Sequence, residues 1–287
     1  MSLWAIFALI GGVGSAQASG GGNEKDLGSF VLHHISNSHE WKVTPFGPTL
    51  HLPQGWNLGG VDFSISLHVF FILVGSALLI LLLGVGSKRK GLMHGSLFAH
   101  LIEVLVVFIR DEVVKPNVGE EDAPRWTPFF LTLFFFILIL NLLSLIPGMP
   151  AATSNINFTA AMAVLIFLVY NISGIAQNGV GHYFANLVPK GLPIAILPLI
   201  AVLEFLGLFT KGFALAIRLF ANITAGHVLI LSLLSIIIVF KSYLAAIPFV
   251  PFTLFIYLIE VLVAFLQAYV FTLLASLFVG QALHQEH

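Results

Sequence analysis

The chain has 287 residues, 58% of them hydrophobic and 9% charged, with a net charge of −1. A soluble chain carries about 45–50% apolar and about 25% charged residues, and one core of this size could not hide the excess. Near-neutral charge without a basic block offers nucleic acid no footing, and the lack of cysteine excludes disulfides and thiolate metal sites.

The apolar residues fall in runs near the ~20 residues that cross a bilayer. Alternating ten-residue segments, the mark of an outer-membrane barrel, are absent. The expected fold is an all-α polytopic membrane protein. It has about five membrane-spanning helices plus an amphipathic interfacial helix, the last two spans being long, tilted and packed as a hairpin.

Residues 1–18 join a short apolar run to Ala16-Gln17-Ala18, a small-x-small site like that of a secretory signal, without the basic n-region. Residues 19–62 are polar and rich in Gly, His and Pro, and read as an extracytoplasmic segment. His33, His34 and His39 there lack regular ligand spacing and read as a solvated loop. The first span covers residues 64–85. Lys88-Arg89-Lys90 follows, so that end is cytoplasmic and the N-terminus outside. Residues 94–115 carry His100, Glu103, Arg110 and Asp111 among apolar residues, as expected of an amphipathic helix on the cytoplasmic interface.

Spans two and three cover residues 126–146 and 156–176, with a turn at Pro147, Gly148 and Pro150. Two long apolar blocks remain, residues 194–240 and 252–283, separated by Pro248 and Pro251. As one helix the second would measure about 48 Å, against ~30 Å of hydrocarbon. The blocks are therefore expected to be strongly tilted or broken, the first with a bend near Pro198 or Gly207. Span parity leaves the C-terminus cytoplasmic. No internal repeat is present, which argues against an inverted-repeat transporter.

The polar residues of these blocks form stripes. Glu204, Lys211 and Arg218 are seven apart, and Asn222 follows four later. At about 100° per residue all four share one helix face. His227 is nine beyond Arg218, about 180° away, on the opposite side. Thr253, Glu260 and Gln267 are again seven apart. An antiparallel hairpin would bring some of these groups together. A mid-membrane guanidinium costs roughly 2.5–3.5 kcal/mol on insertion scales and marks a functional site by default. Plainer roles stand beside that one. Asn222, Thr253 and Gln267 suit interhelical bonds of about 0.6 kcal/mol each. Glu204 and Lys211 suit an internal pair or snorkelling, and Arg218 suits a packing ion pair. No phosphate-binding loop, nucleophile elbow or HExxH motif is present. The chain therefore reads as a non-enzyme without a nucleotide site, cofactor or metal. N-x-[ST] matches at Asn157, Asn171 and Asn222 lie in or beside spans and read as chance.

The stretch ALAIRLFANI, residues 214–223, resembles subunit a of the F-type ATP synthases. The likeness covers residues 63–287. It includes NLLSLIP at 141–147, Glu204 fourteen before the arginine, and LQAYVF at 266–271. It implies a multi-pass stator subunit of a bacterial-type energy-transducing membrane, inner or plasma, with lipid around it. Its implied partners are a rotating ring of c subunits and a peripheral stalk of b-type subunits, and its cargo is the proton. Arg218 would stand between two aqueous half-channels, facing the rotor carboxylates. Glu204 would serve the cytoplasmic half-channel; His227 and Glu260 would serve the external one. That histidine-then-glutamate order resembles the mitochondrial form. Asn222 and Gln267 match supporting polar residues near the arginine, and Lys211 takes no firm role. The competing readings are a proton-coupled solute transporter and a purely structural membrane anchor.

Overall fold

Hydropathy and capping chemistry account for most helix positions in the computed structural model. It describes residues 40–42, 49–51, 57–58, 61–62, 66–88, 97–146, 149, 151–185, 197–240 and 243–284, and the side chains of only part of these. The signal-like residues 1–18, the histidines at 33, 34 and 39, Arg89 and Lys90, and the turn residues Pro147, Gly148 and Pro150 lie outside the described residues.

Two short antiparallel pairings stand first. β1 (Glu40–Lys42) pairs with β2 (Thr49–His51), and β3 (Asn57–Leu58) pairs with β4 (Val61–Asp62). They fall in the polar N-terminal segment, where the sequence pattern predicts no elements. The rest is helical. α1 is Leu67–Lys88, starting three residues later than expected.

The amphipathic segment is α2 (Leu97–Phe108), a π-helical turn (Ile109–Val114) and α3 (Lys115–Val118). Pro116 has no N–H, and its ring crowds the carbonyl four residues back. The helix absorbs this by widening just before it: the Lys115 N–H bonds the Arg110 carbonyl, five residues back. On the exposed side Asp111 accepts from Arg110 at 2.9 and 2.8 Å and lies 2.7 Å from Lys115 Nζ. These hydrogen bonds hold the Asp111 carboxyl well below the usual carboxylate range.

α4 is Ala123–Ser144 and α5 is Ile156–Asn178, close to the expected spans. Asn155 starts α5 by accepting from the Asn157 N–H at 2.9 Å. Gly179 ends it at φ +78°, a positive value that glycine adopts freely. α6 (Val180–Ala185) follows, between the third expected span and the first long block.

The long blocks form α7 (Leu197–Phe240) and α8 (Tyr243–Leu283). One expectation needs correction, that on the prolines of the second block. In the first block, Pro198 lies in the first turn of α7, where its missing N–H is harmless, and Gly207 lies within the same continuous helix. Pro248 and Pro251 do not separate the blocks; both lie inside α8, which already begins at Tyr243. Prolines are tolerated in apolar helices where neighbouring helices and Ser or Thr side chains make up lost backbone bonds. At 44 residues α7 extends about 66 Å, so it still outruns the hydrocarbon. Five helices are long and apolar enough to cross a membrane among the described residues.

The inner half of α8 carries the core. Ala268, Phe271, Ala275 and Val279 pack with Phe130, Phe134 and Ile137 of α4 and with Ile109, Val113 and Val114 of the π turn. Small residues let the backbones approach, which is what holds helices together in lipid. At Gly280 the approach is so close that an added Cβ would collide with the Asn117 carbonyl oxygen. The Asn117 amide also donates to Ser276 Oγ at 3.1 Å. The interfacial segment thus docks on the C-terminal end of α8.

Candidate functional site

α7 and α8 run antiparallel, and three contacts mark their register. Lys211 Nζ donates to Gln281 Oε1 at 3.2 Å. Asn222 Nδ2 donates to Gln267 Oε1 at 2.7 Å. Further along, Glu260 lies against Gly226, so closely that a Cβ there would overlap the carboxylate. The hairpin expected from the two stripes therefore forms. Asn222 meets Gln267 and Glu260 meets α7, whereas Thr253 bonds its own backbone at Phe249 (2.8 Å). Lys211 finds a partner that the stripes did not predict: Gln281, with the Phe278 ring 5.3 Å below the ammonium.

Arg218 is different. It is exposed, and among the described residues it has no hydrogen-bond or ion-pair partner. Its neighbours on that face, Ala214, Ile217, Ala221 and Ala225, are also exposed. Among the described residues, the buried positions of α7 are Gly212, Leu215, Ala216, Leu219, Ile223 and Leu233. They lie about 60–160° round the helix from Arg218. Gly212 packs on the Ala163 carbonyl of α5. The hairpin therefore turns its apolar flank into the bundle and leaves the arginine facing out. Glu204 and His227 both lie within α7; their side chains fall outside the described residues.

Near Glu260 the bundle opens into a narrow crevice. Ser144 of α4 and Leu145 at its C-terminal cap, Asn222 and Ile223 of α7, and Glu260 and Val263 of α8 line it. Its interior has room for about one water. Several polar atoms around it are buried without a hydrogen-bond partner among the described residues: Glu260 Oε2, Gln267 Nε2 and Asn141 Oδ1. Orphaned polar groups at a roomy site are what ordered water satisfies. α4 is tied to α8 on either side of the crevice. Asn141 Nδ2 donates to the Ala264 carbonyl at 3.2 Å, and the Tyr257 hydroxyl donates to the Leu145 carbonyl.

Four residues of this neighbourhood have no role in the sequence reading. Asn141 and Ser144 stand inside NLLSLIP and carry a signal: two polar residues three apart in an apolar span. Gly226 and Tyr257 carry none, since nothing in their spacing sets them apart. No cluster able to hold a metal occurs among the described residues.

With this geometry in view, the chain's relatives can be placed. The family model described as ATP synthase A chain matches residues 68–280. A protein of Chloroherpeton thalassium named ATP synthase subunit a is 47% identical over 262 residues, covering 90% of this chain and 78% of that protein. One of the same name from Chlorobium phaeobacteroides is 44% identical, covering 94% and 80%. Another, from Anaeromyxobacter dehalogenans, is 40% identical, covering 94% and 74%. The polytopic helical chain with its long hairpin belongs to the ATP synthase subunit a family.

Proposed function

We propose that this chain is the proton-conducting stator of a rotary ATP synthase, working against a ring of c subunits and held by a b-type peripheral stalk. One observation carries the reading: Arg218 is exposed on the hairpin without an intramolecular partner among the described residues, whereas Lys211, Asn222 and Gln267 are bonded within the chain. An unpaired charge facing lipid would be costly, so its partner belongs to another polypeptide. An enclosed arginine, as a solute transporter would need, does not fit that exposure.

The mechanism follows from the charge. A protonated rotor carboxyl is neutral and travels through lipid; an ionised one does not. A nearby guanidinium favours the ionised form and so promotes release of the proton. Arginine keeps its own proton, and therefore blocks a direct leak between the two channels. Each charge moved down the potential supplies about 2.3 kcal/mol per 100 mV. The subunit itself conducts rather than catalyses.

The two channels lie at opposite ends of the hairpin. Glu260 and the crevice sit by the α4–α5 turn, the end that positive-inside reasoning places outside. Lys211 and Gln281 sit toward the end where α8 meets the interfacial helix, on the cytoplasmic side. His227 and Glu260 serve the outer half-channel and Glu204 the inner one, with the N-terminus outside in a bacterial energy-transducing membrane. Proton flux through the reconstituted complex tests this. Glu260→Gln should lower it about a hundredfold, the lower end for a lost proton-transfer group. Unchanged flux across pH 5–9 would remove Glu260 from the path.

A further inference from the structure

Outside the hairpin's polar stripes, Tyr257 is the residue whose placement demands most explanation. It lies three residues before Glu260, on the same side of α8. Its hydroxyl donates to the carbonyl of Leu145, the residue that ends α4 and lines the crevice. A helix-terminal carbonyl has no partner within its own helix, so the phenol satisfies a group that would otherwise be orphaned.

The surroundings give this bond unusual weight. From Ile247 to Val263 α8 buries no residue; Ala264, the next, is buried. Pro248 and Pro251 each remove a backbone hydrogen bond from the same stretch. Packing and backbone therefore hold this half of α8 weakly. Along this stretch, Tyr257 supplies the hydrogen bond that ties α8 to another helix among the described residues; Thr253 bonds only its own helix. Asn141 to Ala264 is the next tie inward. The crevice lies between the two, and residues 257 and 264 are about 10 Å apart along the helix.

We propose that Tyr257 is a positioning residue. Its hydroxyl pins α8 to the end of α4, closes the outer side of the crevice and so keeps Glu260 against Gly226. Resting on the reading of Glu260 as a proton-exchanging group, the pin sets how much water reaches that carboxylate.

The chain has no cysteine, so one introduced thiol reports on the crevice. Val263→Cys is placed in the complete complex in liposomes, with the companion subunits' accessible cysteines removed. A membrane-impermeant methanethiosulfonate is applied from the outer face, with Tyr257, Tyr257→Phe, or p-aminophenylalanine at 257. Tyr257→Phe keeps the ring and loses the donor. It should raise the labelling rate of the introduced thiol about tenfold and lower proton flux several-fold. The amino analogue, which can donate, should restore both. Labelling rates within twofold for the three, or a phenylalanine variant with normal flux, would overturn the proposal. Glu260→Gln in the same background separates the two claims. It should abolish most flux and leave thiol labelling unchanged, so normal flux there would fault the channel reading and not the pin.

Discussion

Asn222 of α7 and Gln267 of α8 are joined at 2.7 Å by an amide-to-amide hydrogen bond, one helical turn from Arg218. Gln267 Nε2 is buried without a partner among the described residues, in the region of the crevice. The pair thus fixes the hairpin beside the arginine and offers a spare donor.

That relationship predicts coupling. Asn222→Leu and Gln267→Leu should each slow ATP-driven proton pumping several-fold, and the double variant should be little worse than either. Hydrogen bonds between membrane helices couple by about 0.6–1.7 kcal/mol, roughly three- to eighteenfold in rate. A double-mutant cycle on pumping rate measures it. Strict additivity would mean that the bond carries nothing for turnover.

Gly226→Ala should slow proton flux roughly ten- to a hundredfold, since a misplaced reacting group costs about that much. The new Cβ would occupy the position of the Glu260 carboxylate. Alanine favours helix over glycine by about 0.5–1 kcal/mol, so the complex should assemble normally. Flux per assembled complex is the measurement, and normal flux would show that Glu260 works from another position.

Gly280→Ala should fail differently. Its Cβ would meet the Asn117 backbone oxygen, which cannot turn aside as a side chain can. Overpacking of this kind costs about 1–3 kcal/mol. Less complex should accumulate, and the thermal transition should fall, with flux per surviving complex little changed. Asn117→Ala should not rescue it, because the colliding atom is main chain.

Much of this could be read from the chain alone, because lipid imposes simple rules. Spans of about 20 apolar residues set the helix count, and spacings of seven and four put Lys211, Arg218 and Asn222 on one side of α7. The prolines of α8 misled because a helix in lipid can carry a proline at the cost of a backbone hydrogen bond, which spacing cannot show. The π turn at Ile109–Val114 needed the backbone itself. Lys211 was legible as a polar residue, but its partner Gln281 lies 70 positions away. Gly226 and Tyr257 matter through single close approaches to Glu260 and Leu145, and neither leaves a periodic trace.

The central claim is that Arg218 faces a moving partner. Arg218→Ala in the complete complex, reconstituted in liposomes with an imposed proton gradient, tests it most directly. Arg218 has no partner to lose among the described residues, so the variant should assemble at normal levels. Gradient-driven ATP synthesis should fall below detection, with passive proton leak unchanged or increased. Synthesis at the unmodified rate from the assembled variant would contradict the account.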